Sequence, residues 1–445
     1  MPDQPLVNSD LQSALAEARQ AYVERNPKSL ARHREAVRAM PGGNTRTTLH
    51  NAPFPLTVVR GEGCRLWDAD GHEYIDVLGE YTAGIYGHSH PVIRAAIDRA
   101  LNHGWNYAGR NAYEARLAQL IVDRIPSIEL VRFTNSGTEG NVMALAGARV
   151  FVQRTGRTQA RKVMVFHGGY HGGVLYFVSG GSPVNLPYEF VVAPYNDVEG
   201  TRTLFAEHGA EIFAVLVEPM QGSHGCLPGD PAFLAMVRAE TRTRGIVLIF
   251  DEVMTSRLAP GGLQEKLSIT PDMTTLGKYI GGGMSFGAFG GRRDIMELFD
   301  PTRPDSLPHA GTFNNNVLTM AAGVAGYGEI YTPAAAEALN ARGEKIRGRL
   351  NAICRKAGVG FQFSGIGSMM TGHATARPIR TAADIAAGSQ DAKELFFFDM
   401  SAAGIWIARR GFAALNIMIG DAEADRFVSA VEEFVAARQA LLKPQ

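Results

Sequence analysis

The chain has 445 residues, 45% of them hydrophobic and 20% charged, a composition that excludes disorder over most of its length and allows two domains. Its 44 basic and 44 acidic residues balance, so no net field attracts a polyanion, and we expect no nucleic-acid partner. The scattered Cys64, Cys226 and Cys354 argue against a disulfide framework or a cysteine-rich metal site, and no apolar run is long enough for a membrane span, so we expect a soluble, cytoplasmic protein.

The first 76 residues predict a helical segment followed by a small antiparallel unit. Apolar residues at helical spacing over 8–40 end at a Pro-Gly-Gly turn, and a loop that contains Arg46 follows. Between residues 55 and 76, short β-rich pieces alternate with glycine-containing turns. We assign residues 1–76 to part of a small domain.

Residues 77–330 predict a large α/β domain. Five apolar runs, each too short for a helix, lie at 130–134, 163–166, 190–193, 213–217 and 246–250. Helical stretches separate several of them, which is typical of βαβ units and of a mostly parallel, doubly wound sheet. Because ligands of such sheets bind beyond the carboxyl ends of the strands, we expect the chemistry there.

Residues 331–445 predict a smaller α+β domain. Helical patterns at 333–356 and 421–442 enclose two short strand patterns at 360–364 and 368–373. The alanine-rich stretch 382–396 also has helical character. We therefore expect a large domain and a smaller one.

A glycine-centred turn follows the first apolar run and leads into a helical pattern. Ser136, Gly137 and Thr138 lie in this turn. The first N–H groups of a helix and the positive end of its dipole face such a turn, so a phosphate can bind there. An ordinary capping box formed by Ser136 and Glu139 explains the same residues.

Two acidic residues close later apolar runs. Asp251 follows 246–250, and Glu218 follows 213–217 with Gln221 three residues further on. A carboxylate at the end of a buried strand requires a cation or hydrogen-bond donors. Asp251 can equally be a helix cap, and Glu218 and Gln221 can equally fix the loop that follows them.

Lys278 ends a further strand pattern, beside Gly277 and the glycines at 281–283. A desolvated lysine has a lowered pKa and forms Schiff bases with carbonyls, whereas a solvated surface lysine is the alternative. Tyr170, in a glycine-rich segment, can stack on a ring. A phosphate cradle, a carboxylate, a lysine and an aromatic ring together are the set that pyridoxal phosphate requires.

On these motifs the sequence resembles the class III aminotransferases of PLP fold type I over nearly its whole length. The matching motifs lie at 135–139, 169–172, 218–219, 251–253, 277–278 and 311–312. The resemblance implies that Lys278 binds the aldehyde of pyridoxal phosphate and that Asp251 pairs with the ring nitrogen. It also implies cofactor contacts from Tyr170 and Val253 on the two ring faces and from Ser136, Gly137 and Thr138 at the phosphate.

Further cofactor-binding candidates are Glu218 and Gln221. Thr312 matches the threonine that, in this family, reaches the phosphate bound by the neighbouring subunit. The resemblance therefore implies a homodimer with shared active sites.

Two subgroups of the family share parts of this sequence. Residues 41–46 resemble glutamate-1-semialdehyde aminomutases, in which the arginine matching Arg46 holds a substrate carboxylate. Residues 80–84, 254–260 and 410–412 resemble bacterial β-amino acid aminotransferases that act on β-phenylalanine. The aminomutases usually carry Gly-Phe-Arg where this chain has Ser-Arg-Leu at 256–258, which favours the transaminase. Gly140 stands where alanine is more usual and only weakens a helix slightly.

We therefore predict transfer of an amino group from a β-amino acid, aromatic such as β-phenylalanine, to 2-oxoglutarate or pyruvate. Arg46 and Arg410 are candidate carboxylate clamps, because a guanidinium matches a carboxylate bidentately, with a surface salt bridge as the alternative for each. Tyr81, Ala83 and Met254 are candidates for the aryl pocket. The alternative function is an aminomutase, which needs no keto acceptor. A dinucleotide-binding oxidoreductase is disfavoured, because the sequence has no G-x-G-x-x-G motif after a first strand.

Overall fold

The structure, a computed structural model, describes residues 10–443. Its strands are β1 (Val58–Glu62), β2 (Arg65–Asp68), β3 (Glu73–Asp76), β4 (Leu130–Thr134), β5 (Lys162–Phe166), β6 (Glu189–Ala193), β7 (Ile212–Val217), β8 (Met220–Gln221), β9 (Leu227–Pro228), β10 (Val247–Asp251), β11 (Met273–Gly277), β12 (Gly287–Gly291), β13 (Gln362–Ile366), β14 (Met369–His373), β15 (Ile405–Trp406) and β16 (Phe412–Ala414).

The α-helices are α1 (Leu11–Arg25), α2 (Pro27–Ala36), α3 (Pro91–Leu101), α4 (Glu114–Arg124), α5 (Gly137–Arg154), α6 (Val198–His208), α7 (Pro231–Arg244), α8 (Leu263–Leu267), α9 (Arg293–Met296), α10 (Val317–Gly323), α11 (Pro333–Ala357), α12 (Ala382–Ala386), α13 (Gln390–Ala402) and α14 (Asp421–Arg438). A π-helical segment, Val324–Ile330, continues α10. Within residues 10–443, none of the helices combines the length and the apolar character that a bilayer crossing requires.

The centre of the molecule is a seven-stranded sheet with the order β4-β12-β11-β10-β7-β5-β6. β12 is antiparallel to both of its neighbours, and every other pair is parallel. The mostly parallel sheet of PLP fold type I is therefore confirmed, and all five predicted apolar runs are strands. β12 was not predicted, because its sequence GAFGG lacks the β-branched residues typical of strands.

Helices cover both faces of this sheet, as the apolar sequence of its strands requires. Alternate residues of β7 enter different clusters: Leu216 packs in the cluster that contains Leu145 of α5, and Val215 packs in the cluster that contains Phe233 of α7. Every residue of β7 and β10 is buried. A central strand buried on both faces reads as a continuous apolar run, which is why these two were recognisable in the sequence.

The N-terminal antiparallel unit is also confirmed, and it acquires a strand from the far end of the chain. β1, β2 and β3 form an antiparallel sheet, and β15 adds to β3 in parallel. β13, β14 and β16 form a second small antiparallel sheet. The boundaries at 76/77 and 330/331 stay a prediction. Residues 1–9 and 444–445 of the predicted terminal parts lie outside the described residues.

Two predicted helices have different bounds in the structure. The segment predicted over 8–40 is two helices, because Pro27 has no N–H to continue α1 and instead opens α2. The final helix ends at Arg438 rather than at 442. The segment predicted as helical at 382–396 contains α12 and most of α13, separated by Gly388.

The parallel strands place five chain segments at one edge of the sheet. At its carboxyl end, β4 leads to the turn at 135–139, β5 to the loop at 167–172 and β7 to the segment 218–222. β10 leads to residues 251–253, and β11 leads to Lys278. Each of these segments contains a residue singled out in the sequence. The topology therefore collects the predicted cofactor-binding residues at one edge, except Thr312, which follows none of these strands.

Candidate active site

The turn after β4 forms the N-terminus of α5. Ser136 caps this helix, and its hydroxyl accepts the N–H of Glu139 at 3.2 Å. The Glu139 carboxylate accepts the N–H of Asn135 at 2.8 Å, one residue earlier than a capping box requires. Gly137 and Thr138 are the first two residues of the helix, where N–H groups have no acceptor within the helix. These groups are available to an anion.

Neighbouring segments close on this turn so tightly that glycine is required at two positions. A Cβ on Gly137 would lie 2.6 Å from a methyl group of Val253, and a Cβ on Gly172 would lie 2.1 Å from Oγ1 of Thr138. Gly172 also has a φ of +117°, which L-residues rarely adopt. The turn, the loop after β5 and Val253 thus form one cradle.

We expect Gly172→Ala to weaken the cradle, because the new Cβ would displace Thr138 and the backbone would be strained by about 1–3 kcal/mol. The dissociation constant of pyridoxal phosphate should rise at least about tenfold, and the unfolding midpoint in urea should fall. Gly173→Ala is the matched control, since a Cβ there meets nothing within 4 Å. Equal behaviour of the two variants would show that the contact with Thr138 does not shape the cradle.

Asp251, at the end of β10, is only 4% exposed and belongs to a buried polar network. Its Oδ2 accepts hydrogen bonds from Nδ2 of Asn141 and, at the same distance of 2.8 Å, from the ring Nδ1 of His171. Thr275 donates to Asn141 at 2.6 Å and so orients its amide. Oδ1 accepts the N–H of Val253, the short-range contact expected of a cap. Asp251 is therefore more than a cap, because two side chains from other elements also hold it.

Glu218 and Gln221 fix the loop that follows β7, as their alternative interpretation predicted. Glu218 accepts the N–H groups of Tyr170 and Gly222, at 2.9 and 3.1 Å. Burial raises the pKa of Glu218 to about 7. Gln221 donates its amide N–H to the carbonyl oxygen of His167 at 2.7 Å. Its buried Oε1 has no hydrogen-bond partner within residues 10–443, so it can still accept from a ligand hydroxyl.

Lys278 follows β11 in a left-handed backbone conformation, with a φ of +55°. Its Nζ donates to the carbonyl oxygen of Tyr81. Burial lowers the pKa of Lys278 to about 8, and the positive charge of Arg410 acts in the same direction. The amine is therefore enclosed among charged groups, and a fraction of it is neutral near neutral pH.

The loop that carries Tyr81 is strained. Gly79, Glu80, Tyr81 and Thr82 all have positive φ, and the last three are not glycine. Such residues cost of the order of 1–3 kcal/mol each and persist where the surroundings hold them. The Tyr81 ring is held by stacking on Phe412, with the ring planes 10° apart. The loop thus holds the Tyr81 ring against Phe412, while the Tyr81 carbonyl oxygen contacts Lys278.

The two candidate clamps converge on the Tyr81 ring in different ways. The guanidinium carbon of Arg410 lies 5.0 Å from the ring centroid, and that of Arg46 lies 5.8 Å from it. Arg46 pairs with Glu80, so it forms the surface ion pair that was its alternative. Arg410 forms no ion pair within the described residues, whereas its neighbour Arg409 pairs with Glu394 at 2.6 Å. Of the neighbouring Arg409 and Arg410, it is therefore Arg410 that lies over the ring, without a counter-ion among residues 10–443.

The remaining predicted residues lie in different surroundings. Met254 is buried in an apolar cluster against which Tyr81 packs, and the carbonyl oxygen of Ala83 faces Gly283 in the segment after Lys278. Tyr170 is half-buried, edge-on to Tyr176. Thr312 is exposed beside Phe313, on a segment that Asn314 joins to Asn135 at 3.0 Å.

Sequence reasoning missed His171 and Asn141 as functional residues. His171 was visible next to Tyr170 in the glycine-rich segment, but nothing in the sequence pairs it with Asp251, 80 residues away. Asn141 lies on the buried side of α5, where an amide among alanines is a signal of a polar contact in the core.

These residues fit pyridoxal phosphate. The N–H groups at the start of α5 and the glycine-lined cradle suit its phosphate, the carboxylate of Asp251 suits a protonated ring nitrogen, and Lys278 suits its aldehyde. The unpartnered Oε1 of Gln221 suits a donor on the ring. Tyr170 and Val253 are the candidates for the two ring faces.

Comparison with known proteins agrees with this geometry. A family model described as Aminotransferase class-III matches residues 47–435. The chain is 52% identical to the beta-phenylalanine transaminase of Variovorax paradoxus, over 98% of this chain and 99% of that protein. The crystal structure of a beta-phenylalanine aminotransferase from Variovorax paradoxus superposes with a TM-score of 0.95, covering 98% of this chain and 100% of that one. The glutamate-1-semialdehyde 2,1-aminomutase of Sorangium cellulosum is 36% identical over 94% of this chain and 98% of that protein.

Proposed function

This chain belongs to the class III aminotransferases, which depend on pyridoxal phosphate, and from that premise we propose that it transfers the amino group of an aromatic β-amino acid, such as β-phenylalanine, to a keto acid. The observation that carries the proposal is the convergence of two guanidinium groups, those of Arg46 and Arg410, on the ring of Tyr81, the residue whose carbonyl oxygen accepts from Lys278. A carboxylate and an aromatic group could both be recognised there. The 52% identical relative carries the name of this activity.

Lys278 is the proposed acid and base. With a pKa near 8 it is partly neutral at neutral pH, so it can take a proton from the carbon that bears the substrate amine and return one later. Pyridoxal phosphate, when bound, supplies an electron-withdrawing ring that stabilises the negative charge left on that carbon. Asp251 would hold a proton on the nitrogen of that ring, and Asn141 and His171 hold the Asp251 carboxylate in place.

The two substrates place their carboxylates at different distances from the reacting group, and two arginines can each bind one of them. A β-amino acid places its carboxylate one carbon farther from the reacting amine than an α-amino acid does, yet the acceptor is an α-keto acid. One rigid guanidinium cannot suit both distances. We therefore assign Arg46 to one carboxylate and Arg410 to the other. A substrate carboxylate can replace Glu80 as the partner of Arg46 at little cost in free energy, because exposed ion pairs contribute only about 0–1 kcal/mol.

The two-clamp assignment is tested by Arg46→Ala and Arg410→Ala, measured as separate half-reactions with β-phenylalanine and with 2-oxoglutarate. Loss of a charge-assisted contact costs about 1.5–3 kcal/mol, or roughly 10- to 150-fold in kcat/KM. We expect each variant to lose this factor mainly in one half-reaction. Arg60→Ala, on β1, removes an exposed arginine paired with Glu62 and is the control.

Equal losses in both half-reactions for both variants would contradict the two-clamp assignment. Absence of turnover of every β-amino acid by the unmodified enzyme would contradict the proposed substrate.

The aminomutase alternative is tested by adding 2-oxoglutarate with a β-amino acid and measuring glutamate, which an aminomutase does not produce. Arg257, in the segment that departs from the aminomutase pattern, is fully buried and donates to Ser368, so it cannot reach a substrate.

A homodimer with shared sites and a cytoplasmic location complete the proposal. Thr312 is exposed beside Phe313, whose relative exposure of 61% is high for a phenylalanine and suits a surface covered by a second subunit. Sedimentation of the purified protein tests the dimer. Cys64, Cys226 and Cys354 are buried and unpaired, which suits a reducing compartment.

A further inference from the structure

A buried lysine that the proposed mechanism does not use lines a cavity beside Tyr81. Lys393, on α13, is 7% exposed. The cavity has a volume of about 310 Å³, and Tyr81, Arg409, Arg410, Glu394 and Thr48 also line it. It therefore adjoins Tyr81, whose carbonyl oxygen accepts from Lys278, but it is not part of the phosphate cradle.

The hydrogen bonds around Lys393 leave its ammonium group incompletely paired. Nζ lies 3.4 Å from Nδ1 of His373, whose Nε2 lies 3.0 Å from the carbonyl oxygen of Gly225. Nε2 also lies 2.9 Å from Oγ of Ser364, whose hydroxyl donates to the same carbonyl oxygen at 2.6 Å. Both neighbours of Nε2 therefore accept, Nε2 carries the proton, and Nδ1 accepts from Lys393. Burial lowers the pKa of His373 to about 3, so the ring is neutral and adds no charge. Within residues 10–443, His373 is the one acceptor that Nζ contacts, and two ammonium protons remain.

The charges around the cavity do not balance. Among the described residues that line it, the one carboxylate is Glu394, which is already bound by Arg19 at 2.8 Å and by Arg409 at 2.6 Å. Arg410 stacks on Tyr81 and Phe412, and its buried Nε has no partner within the described residues. Lys393 and Arg410 are thus two cationic groups at one cavity, and neither is paired with an anion from residues 10–443. An anionic ligand in the cavity would pair with both groups.

We propose that Lys393 binds the carboxylate remote from the keto group of a dicarboxylic acceptor, while Arg410 binds the carboxylate next to it. This inference rests on the proposed transaminase function and selects a 2-oxoglutarate-like acceptor over a monocarboxylate such as pyruvate. A monocarboxylic acceptor supplies one anion for two cations, whereas a dicarboxylate supplies two. Burial and the charge of Arg410 lower the pKa of Lys393 to about 8, so the anion would also hold its proton.

The acceptor half-reaction tests this inference without any β-amino acid. Enzyme loaded with pyridoxamine phosphate is mixed with 2-oxoglutarate or with pyruvate, and single-turnover rates give kcat/KM for each acceptor. For Lys393→Gln we expect the ratio of 2-oxoglutarate to pyruvate to fall about 10- to 150-fold. Lys393→Arg keeps the charge and should restore part of the ratio. Lys356→Gln, at an exposed lysine near the end of α11, is the matched control.

An unchanged ratio in Lys393→Gln, whether both rates fall or neither does, would overturn the inference. A second measurement needs no variant: glutarate should bind the loaded wild-type enzyme at least about tenfold more tightly than butyrate in calorimetry, and equal affinities would also overturn it. Failure of the proposed function is distinguishable, because it would appear as absent turnover of β-amino acids while both acceptor measurements remain possible.

Discussion

Lys278→Ala is expected to abolish transamination. Removing a group that is both nucleophile and general base should slow the reaction by at least about 10²- to 10⁴-fold. The left-handed backbone at this residue strains alanine as much as lysine, so the change removes the amine without adding backbone strain. The Tyr81 carbonyl loses its donor, but the helix N-terminus and the cradle around Gly172 remain, so the variant should still bind pyridoxal phosphate.

Three measurements check this expectation. Half-reaction rates report the chemistry, the visible absorption spectrum reports the covalent state of the cofactor, and equilibrium dialysis reports its binding. Lys266→Ala, at an exposed lysine of α8, is the control and should behave like the unmodified enzyme. Borohydride reduction of the unmodified enzyme followed by peptide mapping should place the label on Lys278, and a label on another lysine would refute the site.

Asp251→Asn should leave the cofactor bound but slow the reaction strongly. An amide carries no negative charge, so a proton on the ring nitrogen is no longer stabilised and the ring accepts electrons less well. Asparagine also brings an N–H₂ group into a position surrounded by the donors of Asn141, His171 and Val253. We expect a loss of more than tenfold in kcat, equivalent to more than about 1.4 kcal/mol in the barrier.

The adjacent carboxylate provides the control for Asp251→Asn. Glu252 is fully buried, and it accepts the N–H groups of Leu263 and Gln264, which are not among the predicted site residues. Glu252→Gln should lower the free energy of unfolding by about 1–3 kcal/mol while the folded enzyme keeps its rate. If Asp251→Asn changes the unfolding midpoint and hardly changes kcat, Asp251 is a structural residue only.

What the sequence could predict depended on whether the signal was local. β7 and β10 were recognisable because burial on both faces leaves an unbroken apolar run. The turn at Ser136 was recognisable because a cap and a glycine lie side by side. β12 was not recognisable, because its glycines are required by close contact with another segment. A Cβ on Gly287 would lie 2.0 Å from the carbonyl oxygen of Ser136.

The site shows the same limit at the level of single side chains. Arg409 and Arg410 are indistinguishable in sequence, and only the fold gives the first to Glu394 and the second to Tyr81. Lys393 lies in a helix where a lysine is usually solvated, and its burial follows from elements far away in the chain. Asn141 and His171 meet Asp251 only because parallel strands bring their carboxyl ends together.

The position of β12 in the sheet delays the pairing of β4 during synthesis. β4, which precedes the turn at 135–139, is an edge strand whose one partner in the described sheet is β12, more than 150 residues later in the chain. Pairing across so long a separation is slow and cannot occur before both partners have left the ribosome. A nascent chain that stops short of Gly287 therefore carries the residues of the turn without the strand that positions them, and it should acquire cofactor affinity only after that strand has emerged.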